Sequence, residues 1–417
     1  MVWGFSIRLA SILGHSRARA FRAMRSPQFL QALKEKTSSN DQPWAWFHCA
    51  SLGEYEQTAP VIDAYLSLHP NTPILLTLFS PSAPTPLTTS SPPSWLRPTD
   101  HICALPLDTP LSVHRFLTSA SRKFKFFASA KYEVWPELLL QLSNPTSNPS
   151  TTSTTSIPSY VFAAHILPGA SQLRSTPSGR FLFTAWSRLT GILTQSQSST
   201  SLLASRGLSS TPTGDPRADR VLQLSKSTTT PPSLISWKGT SRLVVAGSTW
   251  PPEDLALANL TWSPELKLII APHEVNPSNI SRLLALFGGR ASLYSSGDFN
   301  SSILIIDSIG LLTSIYSLAD LALVGGGFGA GIHNVLEPAA HSVPVITGPN
   351  TGRFREAVAL ADIGALIIAS TPTELQSLLT DLLSPDNYTK LSYSGKAAGY
   401  WVEEQSGAAE KIAKYLP

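Results

Sequence analysis

Residues 319–351 read ADLALVGGGFGAGIHNVLEPAAHSVPVITGPNT and contain one full alternation of strand, loop, helix and strand. The apolar run at 321–324 predicts a buried strand, and Gly325–Gly327 predict a tight loop after it. An amphipathic segment at 334–340 predicts a helix, and the apolar run at 343–346 predicts the next strand. This order of elements is typical of a parallel α/β sheet.

The same alternation extends along most of the chain. Short apolar runs that end in small or polar turns predict further buried parallel strands, at 44–50, 74–79, 101–105, 124–129, 160–164, 243–246, 268–271 and 303–306. Helical patterns fall between them, at 55–68, 135–142 and 310–319. Two successive arrays of this kind predict an α/β fold of two doubly wound, Rossmann-like lobes that face each other across a cleft.

The composition of the chain also predicts its divisions. Two Pro/Ser/Thr-rich segments, 80–99 and 143–159, are typical of surface loops. A third segment rich in Gly, Pro, Ser and Thr, 207–236, predicts a linker. The predicted organisation is then an N-terminal arm, two lobes joined by that linker, and a C-terminal amphipathic helix, at 1–36, 37–206, 207–236, 237–400 and 401–417.

Bulk composition excludes several classes of protein. The 417 residues are 42% hydrophobic, which is enough for two or three large cores at ~150 residues per domain. Two cysteines, Cys49 and Cys103, supply neither a disulfide framework nor a metal knuckle. No apolar run reaches the ~20 residues of a membrane span.

Charge is concentrated in the first 36 residues. These residues carry seven basic side chains and one acidic side chain, Glu35, which gives them a net charge of +6. The whole chain has a net charge of +4, so the net charge of the other 381 residues is −2. A nucleic-acid-binding body is therefore not expected. The basic residues of the arm are Arg8, Arg17, Arg19, Arg22, Arg25, Lys34 and Lys36.

The arm is amphipathic when it is read as a helix. Its apolar face consists of Val2, Phe5, Leu9 and Ile12, and Arg8, His15, Arg19 and Arg22 share another face. Such a helix is typical of a membrane interface. Two other interpretations stay open at this point: a first helix that packs on its own domain, and a transit peptide.

Polar residues directly after predicted strands are the first candidates for a site, since ligands of open α/β sheets bind beyond the strands' carboxyl ends. In the first lobe these are Ser51, Gly53 and Glu54 after the first strand, and Lys131 and Glu133 after the fourth. A carboxylate at such a place can act as a general base. Each glutamate can instead complement the dipole of the helix that follows.

In the second lobe, glycines and polar side chains follow the strand at 321–324. Gly325, Gly326 and Gly327 allow a ligand to approach the backbone closely, and the start of the next helix offers N–H groups to an anion. That helix is predicted to carry His333, Asn334 and Glu337, and its glutamate can accept hydrogen bonds from a ribose. No acidic residue follows ~20 residues later, which argues against a nicotinamide cofactor.

Two further turns belong to the same predicted cleft. Ser248 and Thr249 lie between a strand and a helix, a second place for a phosphate or a carboxylate, and His273 follows the next strand. A structural histidine is about equally consistent with the pattern at 273. No His, Asp or Glu pair has ligand spacing on one helix, so no metal is expected.

Eight stretches of the chain resemble the transferases of 3-deoxy-D-manno-octulosonic acid (Kdo), which act on lipid A precursors. They occur in family order over about residues 46–365: CASLGEYEQTAPVI, TLFSPSA, LPLDTP, KYEVWPELL, TGDPRADRV, AGSTWPPED, APHE and the long stretch from 317 to 357. The resemblance implies a GT-B glycosyltransferase fold, CMP-Kdo as the donor and no cofactor. The implied acceptor is a lipid A precursor at the cytoplasmic face of the bacterial inner membrane.

The resemblance also implies roles for residues. Glu54 is the expected general base of an inverting transfer and Glu133 a second essential acid, with Ser51, Gly53 and Lys131 on the acceptor side. The expected donor side consists of Ser248, Thr249, His273, Gly325, Gly326, Gly327, His333, Asn334 and Glu337. Lys131 and Arg353 are candidates for holding the Kdo carboxylate, and the basic arm for holding an anionic bilayer.

Two alternatives remain at this stage. One is another two-lobed transferase that uses a different nucleotide sugar. The other is a membrane-associated relative with a degenerate site, which the departure of Ala83 and Pro84 from the family pattern keeps open. The retained Glu54 and donor motif favour an active enzyme.

Overall fold

The computed structural model of the chain describes residues 16–38, 42–80, 92–131, 134–144 and 156–417, and it divides into two compact units. Unit 1 extends to Arg220 and includes Ser406–Pro417, and unit 2 is Val221–Gln405. Each unit has a seven-stranded sheet whose strands pair in parallel. The predicted class, α/β with two doubly wound lobes, is confirmed.

The sheet of unit 1 has the order β3-β2-β1-β4-β5-β6-β7. Its strands are β1 Trp44–Cys49, β2 Ile74–Leu78, β3 His101–Ala104, β4 Phe124–Ala130, β5 Ser159–Ala164, β6 Gly191–Thr194 and β7 Thr211–Pro212. Its helices up to the boundary are α1 Ser16–Ala23, α2 Pro27–Ser38, α3 Leu52–Leu68, α4 Pro110–Ser119, α5 Pro136–Ser143, α6 Pro177–Trp186 and α7 Gln197–Ala204. The strand order reverses between β1 and β4, which makes their carboxyl ends the expected place for a ligand.

The sheet of unit 2 has the order β10-β11-β9-β8-β12-β13-β14. Its strands are β8 Arg242–Thr249, β9 Leu266–Pro272, β10 Ala291–Leu293, β11 Ile303–Ile305, β12 Leu321–Val324, β13 Val345–Thr347 and β14 Leu366–Ile368. The order reverses between β8 and β12. The helices from the boundary onwards are α8 Arg217–Ser227, α9 Pro232–Lys238, α10 Pro251–Ala258, α11 Pro277–Phe287, α12 Leu312–Ile315, α13 Leu336–Ala340, α14 Arg355–Asp362, α15 Pro372–Leu382, α16 Tyr388–Glu404 and α17 Ala408–Tyr415.

Alternate residues of β1 explain how the sheet of unit 1 is held. Ala45, Phe47 and Cys49 are buried in one cluster, whereas Trp44 and Trp46 are buried in another. Because side chains of a strand point alternately to its two faces, both faces of this sheet are covered. This explains why the strand reads as a continuous apolar run.

The prediction of the ten strands is confirmed, with ends that differ by a few residues. The strands that it omitted, β6, β7, β10 and β14, contain two to four residues each. The predicted helix at 310–319 is shorter, since α12 is followed by a 3₁₀ turn at Tyr316–Leu318.

The described part of the N-terminal arm packs on unit 1. Leu33 of α2 is fully buried, and the Arg25 guanidinium donates to the carbonyl oxygens of Leu105 at 2.8 Å and Phe79 at 3.0 Å. The same group lies 3.7 Å from the centroid of the Phe21 ring. Burial lowers the pKa of Arg25 to about 10. Residues 1–15, with the whole of the predicted apolar face, lie outside the described residues.

The segment predicted as a linker contains β7, α8 and the start of α9, and the unit boundary falls within α8. The predicted C-terminal helix is interrupted after Glu404, and α17 packs on unit 1. There the Asp219 carboxylate accepts from the amides of Gly407 and Ala409 at 2.7 and 3.2 Å. Of the two predicted surface loops, 80–99 and 143–159, residues 81–91 and 145–155 lie outside the described residues.

Candidate active site

The switch point of unit 1 brings Ser51, Glu54 and Lys131 together. Ser51 and Glu54 follow β1 at the start of α3, and Lys131 directly follows the neighbouring β4. The Ser51 hydroxyl donates to Glu54 Oε2, and Lys131 Nζ lies 3.2 Å from Glu54 Oε1. Lys131 has φ +63°, a left-handed conformation that costs energy for a side chain of this kind.

Opposing effects set the charge of the Glu54 carboxylate. Burial tends to raise the pKa of Glu54, but the hydrogen bond from Ser51 and the charge of Lys131 outweigh burial and bring that pKa below its usual value. Glu54 is therefore ionised at neutral pH and can accept a proton. Each carboxylate oxygen has two lone pairs, so the bonds from Ser51 and Lys131 leave acceptor capacity for a substrate hydroxyl.

Two distant residues hold the helix that carries Glu54. Asp215 accepts from Gln57 Nε2 at 3.0 Å, and Arg220 pairs with Glu56 at 2.7 Å. Both partners belong to TGDPRADRV, which the sequence analysis assigned to the linker. The separation of Gln57 and Asp215 by 158 positions leaves no local signal from which sequence reasoning could have found this contact.

The other predicted residues of this lobe differ in what the structure says of them. Gly53 is exposed in the first turn of α3, where a Cβ would approach only the Ser51 hydroxyl, at 3.7 Å. Glu133 lies outside the described residues. Trp135, two positions later, packs edge-on against His48 with ring centroids 5.4 Å apart.

His48 is a buried residue of β1 that sequence reasoning did not single out. Its Nδ1 lies 3.0 Å from both the carbonyl and the hydroxyl oxygen of Thr77. Burial lowers the pKa of His48 to about 3, against the weaker effect of the hydrogen bond to Thr77. The ring is therefore neutral under the neutral conditions in which Glu54 is ionised.

In unit 2, the three glycines after β12 permit close backbone contacts. A Cβ at Gly325 would lie 2.3 Å from the carbonyl oxygen of Ser248, and one at Gly327 would lie 2.6 Å from the backbone of Gly348. Gly326 has φ +90°, which favours glycine. These close contacts are with the ends of neighbouring strands and fix the shape of the loop. The close approach of a ligand to the three glycines stays a prediction.

Most loop amides are engaged within the protein. Gly325 donates to the Gly247 carbonyl at 2.9 Å, and Gly326 donates to Glu253 Oε1 at 2.9 Å. Within the described residues, the amide of Gly327 makes no hydrogen bond. The amides of Gly325 and Gly326 are therefore not available for an anion.

Glu253 is a positioning residue that the sequence analysis missed. It is buried in α10, and its second oxygen, Oε2, accepts from the amide of Trp250 at 3.1 Å. It thus connects the end of β8 to the loop after β12. Burial raises the pKa of Glu253, although these backbone hydrogen bonds oppose the effect. An acid at the third helical position is the signal that could have indicated it.

The expectation that His333 and Asn334 lie on a helix is wrong. The helix α13 begins at Leu336 and has five residues, so of the three predicted side chains only Glu337 is helical. The Asn334 side chain instead accepts from the Leu336 amide at 3.1 Å. A polar side chain that bonds the first turn ends the loop and starts the helix there.

Asn334 and Glu337 nevertheless lie together. Asn334 Nδ2 donates to Glu337 Oε1 at 3.0 Å, and the Thr313 hydroxyl donates to Oε2 at 2.7 Å. These bonds fix the position of the carboxylate.

The remaining predicted residues meet at the ends of β8 and β9. Ser248, with φ +52°, and the buried Thr249 end β8, and the amide of His273 donates to the Thr249 carbonyl at 3.1 Å. The rings of His273 and His333 stack with centroids 4.4 Å apart. The structure therefore brings Ser248, Thr249, His273 and His333 into one cluster beside the glycine loop.

The helix after Thr249 has few N–H groups for an anion. Pro251 and Pro252 have no amide hydrogen, and the Trp250 amide already bonds Glu253. An anion beside Thr249 would therefore depend on side-chain hydroxyls more than on the helix. Across the described residues, no group of three or more His, Cys, Asp or Glu side chains is placed to hold a metal ion.

Comparison with known proteins shows what the chain is similar to. Residues 23–220 match the family model of 3-deoxy-D-manno-octulosonic-acid transferase (Kdo transferase). The chain is 28% identical to the 3-deoxy-D-manno-octulosonic acid transferase of Haemophilus influenzae, over 94% of this chain and 92% of the relative. It is 29% identical to that of Aquifex aeolicus, over 89% and 93%.

Solved structures agree on the fold. The UDP-GlcNAc 2-epimerase from Neisseria meningitidis, bound to UDP-GlcNAc, is 14% identical, covers 87% of this chain and 98% of its own, and has a TM-score of 0.56. This likeness supports the GT-B fold expected from the sequence. In sequence, the family model matched over residues 23–220 and the two relatives make the chain similar to the Kdo transferases, which are glycosyltransferases.

Proposed function

We propose that this protein transfers Kdo from CMP-Kdo to a lipid A precursor in lipopolysaccharide biosynthesis, with inversion at the anomeric carbon. Both relatives are 3-deoxy-D-manno-octulosonic acid transferases, and their alignment over about nine-tenths of each chain supports the same activity here. The observation that carries the proposal is the Glu54 carboxylate, ionised and held at the switch point of unit 1 by Ser51 and Lys131.

Glu54 acts as the general base in this proposal. It takes the proton of an acceptor hydroxyl as the hydroxyl oxygen attacks the anomeric carbon of Kdo and the bond to the CMP phosphate breaks. The transition state resembles an oxocarbenium ion, as in glycoside hydrolysis. Removing the proton during attack keeps positive charge from accumulating on the entering oxygen.

Lys131 and Ser51 position the base and set its strength. Their bonds fix both oxygens of the carboxylate, which reduces the conformational freedom that a base would otherwise lose on binding. The positive charge keeps Glu54 ionised but makes it a weaker base. The account therefore assigns Lys131 to Glu54 and leaves Arg353 as the candidate for the Kdo carboxylate.

The donor binds in unit 2 in this proposal. Glu337, fixed by Asn334 and Thr313, accepts from the ribose hydroxyls, and the loop of Gly327 and the turn of Ser248 and Thr249 bind the phosphate. A fixed hydrogen-bond donor beside the leaving phosphate stabilises the negative charge that develops as CMP departs. His273 and His333 complete this donor site.

Two parts of the proposal concern segments that lie wholly or partly outside the described residues. Glu133 is proposed as a second essential acid on its family motif alone. Residues 1–36, with their net charge of +6, are proposed to contact an anionic bilayer at the cytoplasmic face of the inner membrane. None of the helices within the described ranges is both long and apolar enough to span a membrane.

A transfer assay with the full chain tests the function. A tetraacyl lipid A precursor is incubated with CMP-Kdo generated in situ, and CMP release, the mass of the lipid and the anomeric configuration of the product are measured. The proposal predicts a lipid heavier by whole Kdo residues, with inverted configuration. A parallel reaction with UDP-GlcNAc serves as the control. Transfer from UDP-GlcNAc but not from CMP-Kdo, or product with retained configuration, contradicts the proposal.

A further inference from the structure

Trp250 forms a cluster of three rings with His273 and His333. The indole follows β8 and is 36% exposed, and its ring stacks on His273 with centroids 4.7 Å apart and an interplanar angle of 23°. His273 in turn stacks on His333. In the same cluster, Trp250 Nε1 lies 3.2 Å from His333 Nε2. The aromatic contacts and this polar contact fix the three rings relative to one another.

The contact between Trp250 and His333 determines where the imidazole carries its proton. An indole N–H can only donate, so His333 Nε2 must be the acceptor. In a neutral imidazole the proton is then on Nδ1. Burial, and to a smaller extent the neighbouring His273, lowers the pKa of His333, which keeps the ring neutral.

The two edges of the His333 ring face different surroundings. A Cβ at Gly326 would lie 3.1 Å from His333 Cδ2 and 3.4 Å from Nε2, so that edge faces the glycine loop. The His333 amide is fixed by its bond to the Gly325 carbonyl at 3.1 Å. Nδ1 is on the other side of the ring, and it has no hydrogen-bond partner in the part of the chain that the structure describes.

We propose that Trp250 fixes His333 as its Nδ1–H tautomer, and that this N–H donates to a phosphate oxygen of the nucleotide sugar. The second half rests on the proposed donor site. Trp250 is a positioning residue here, since it acts through His333. The arrangement supplies a neutral donor whose direction is set before the ligand arrives, so no proton has to be taken up on binding.

The tautomer can be measured without any ligand. Nitrogen-15 NMR of the chain labelled at histidine, with the signals of residue 333 assigned from their loss in His333→Phe, reports which ring nitrogen carries the proton. The expected result is a protonated Nδ1 and an unprotonated Nε2. In Trp250→Phe, which retains an aromatic ring but lacks the N–H, the two tautomers should mix. Trp262→Phe is the matched control, because it removes an indole donor to the Leu257 carbonyl at 2.9 Å elsewhere in unit 2.

Binding of CMP then tests what the tautomer does. Calorimetry should show that Trp250→Phe weakens CMP binding by about two- to tenfold, the effect of one neutral hydrogen bond. In the His333→Phe background, Trp250→Phe should not weaken CMP binding further, because the imidazole through which Trp250 acts is already absent. Trp262→Phe should bind CMP as the unsubstituted chain does.

Three results overturn the inference. They are a protonated Nε2 in the unsubstituted chain, an unchanged tautomer in Trp250→Phe, and an equal loss of CMP affinity in both backgrounds. If CMP does not bind the unsubstituted chain while the tautomer is as expected, the ligand half and the proposed donor site are both refuted. The positioning of His333 by Trp250 stands in that case, so the two failures are distinguishable.

Discussion

Replacing Lys131 by methionine should make Glu54 a stronger base that loses its charge at higher pH. Lys131 Nζ and Glu54 Oε1 are 3.2 Å apart, and their side chains expose 27% and 13% of their surface. Coulomb's law at this distance gives about 1.3 kcal/mol in water and about 5 kcal/mol at an effective dielectric constant of 20. Because both groups are partly solvated, the lower figure is the minimum that we expect.

The sign of the effect on the pH profile follows from the charge of the base. Lys131 lowers the pKa of Glu54, so removing it raises that pKa. Activity requires the ionised carboxylate and falls as the pH drops through its pKa. The acidic limb of kcat/KM should therefore move to higher pH, by at least about one pH unit since 1.4 kcal/mol corresponds to one unit. On the plateau, where Glu54 is ionised in both proteins, kcat should change by less than about threefold.

The assay is CMP release from CMP-Kdo in the presence of the lipid acceptor, measured from pH 4 to pH 9. Lys131→Arg, which retains the charge, should keep the original limb. Lys125→Met is the matched control, since Lys125 lies on β4, the strand that ends just before Lys131, but approaches the Tyr65 hydroxyl at 3.5 Å. An unchanged limb in Lys131→Met refutes the reasoning. A uniform rise in KM for CMP-Kdo at every pH would show that Lys131 holds the donor instead.

Three further predictions concern the framework of the site. Glu253→Gln should lower the free energy of unfolding by about 1–3 kcal/mol, as measured by denaturation. Glu253 accepts from Gly326 and Trp250 with two different oxygens, and in glutamine an NH2 group replaces one of them. Unchanged stability would contradict its role in fixing Gly326. Gly325→Ala should lower the melting temperature by several degrees, because its Cβ would collide with the Ser248 carbonyl. Gly289→Ala is the control, since a Cβ there meets open space and should leave the melting temperature unchanged. Equal effects of the two substitutions would contradict the close contact between Gly325 and Ser248. In the folded chain the pKa of His48 is about 3, below the ordinary value of 6.5. Between pH 6.5 and pH 3, therefore, His48 is protonated in the unfolded chain but not in the folded one. The free energy of unfolding should fall as the pH drops through this range. Denaturation of His48→Phe across that range should give a shallower fall, and an equal slope would show that this residue does not cause it.

The buried strands were predictable because their sequence pattern is local. Residues 44–49 read as a continuous apolar run since both faces of β1 are covered. The omitted strands have too few residues to show a period; β7, for example, is the pair Thr211–Pro212. The sequence also predicts Ser51, Glu54 and Lys131 as candidates, because each lies within a few residues of the carboxyl end of a strand.

What the sequence did not indicate depends on contacts between distant positions. Glu253 is 73 positions from Gly326, and Trp250 is 83 positions from His333. No period or motif connects such residues before the chain folds. The start of α13 was misplaced for a local reason, since the Asn334 side chain bonds the first helical turn and the helix cannot begin earlier.

The most direct test of the central claim is the plateau rate of Glu54→Gln in the transfer assay, with Glu56→Gln as its matched control. Both substitutions remove a carboxylate from α3, but Glu56 pairs with Arg220. The account predicts that Glu54→Gln loses about 10²–10⁴ in kcat, the usual contribution of a general base, while CMP binding and the melting temperature stay near those of the unsubstituted chain. Glu56→Gln should retain most of its activity. A folded Glu54→Gln variant that transfers Kdo within tenfold of the original rate would contradict the assignment of Glu54 as the base.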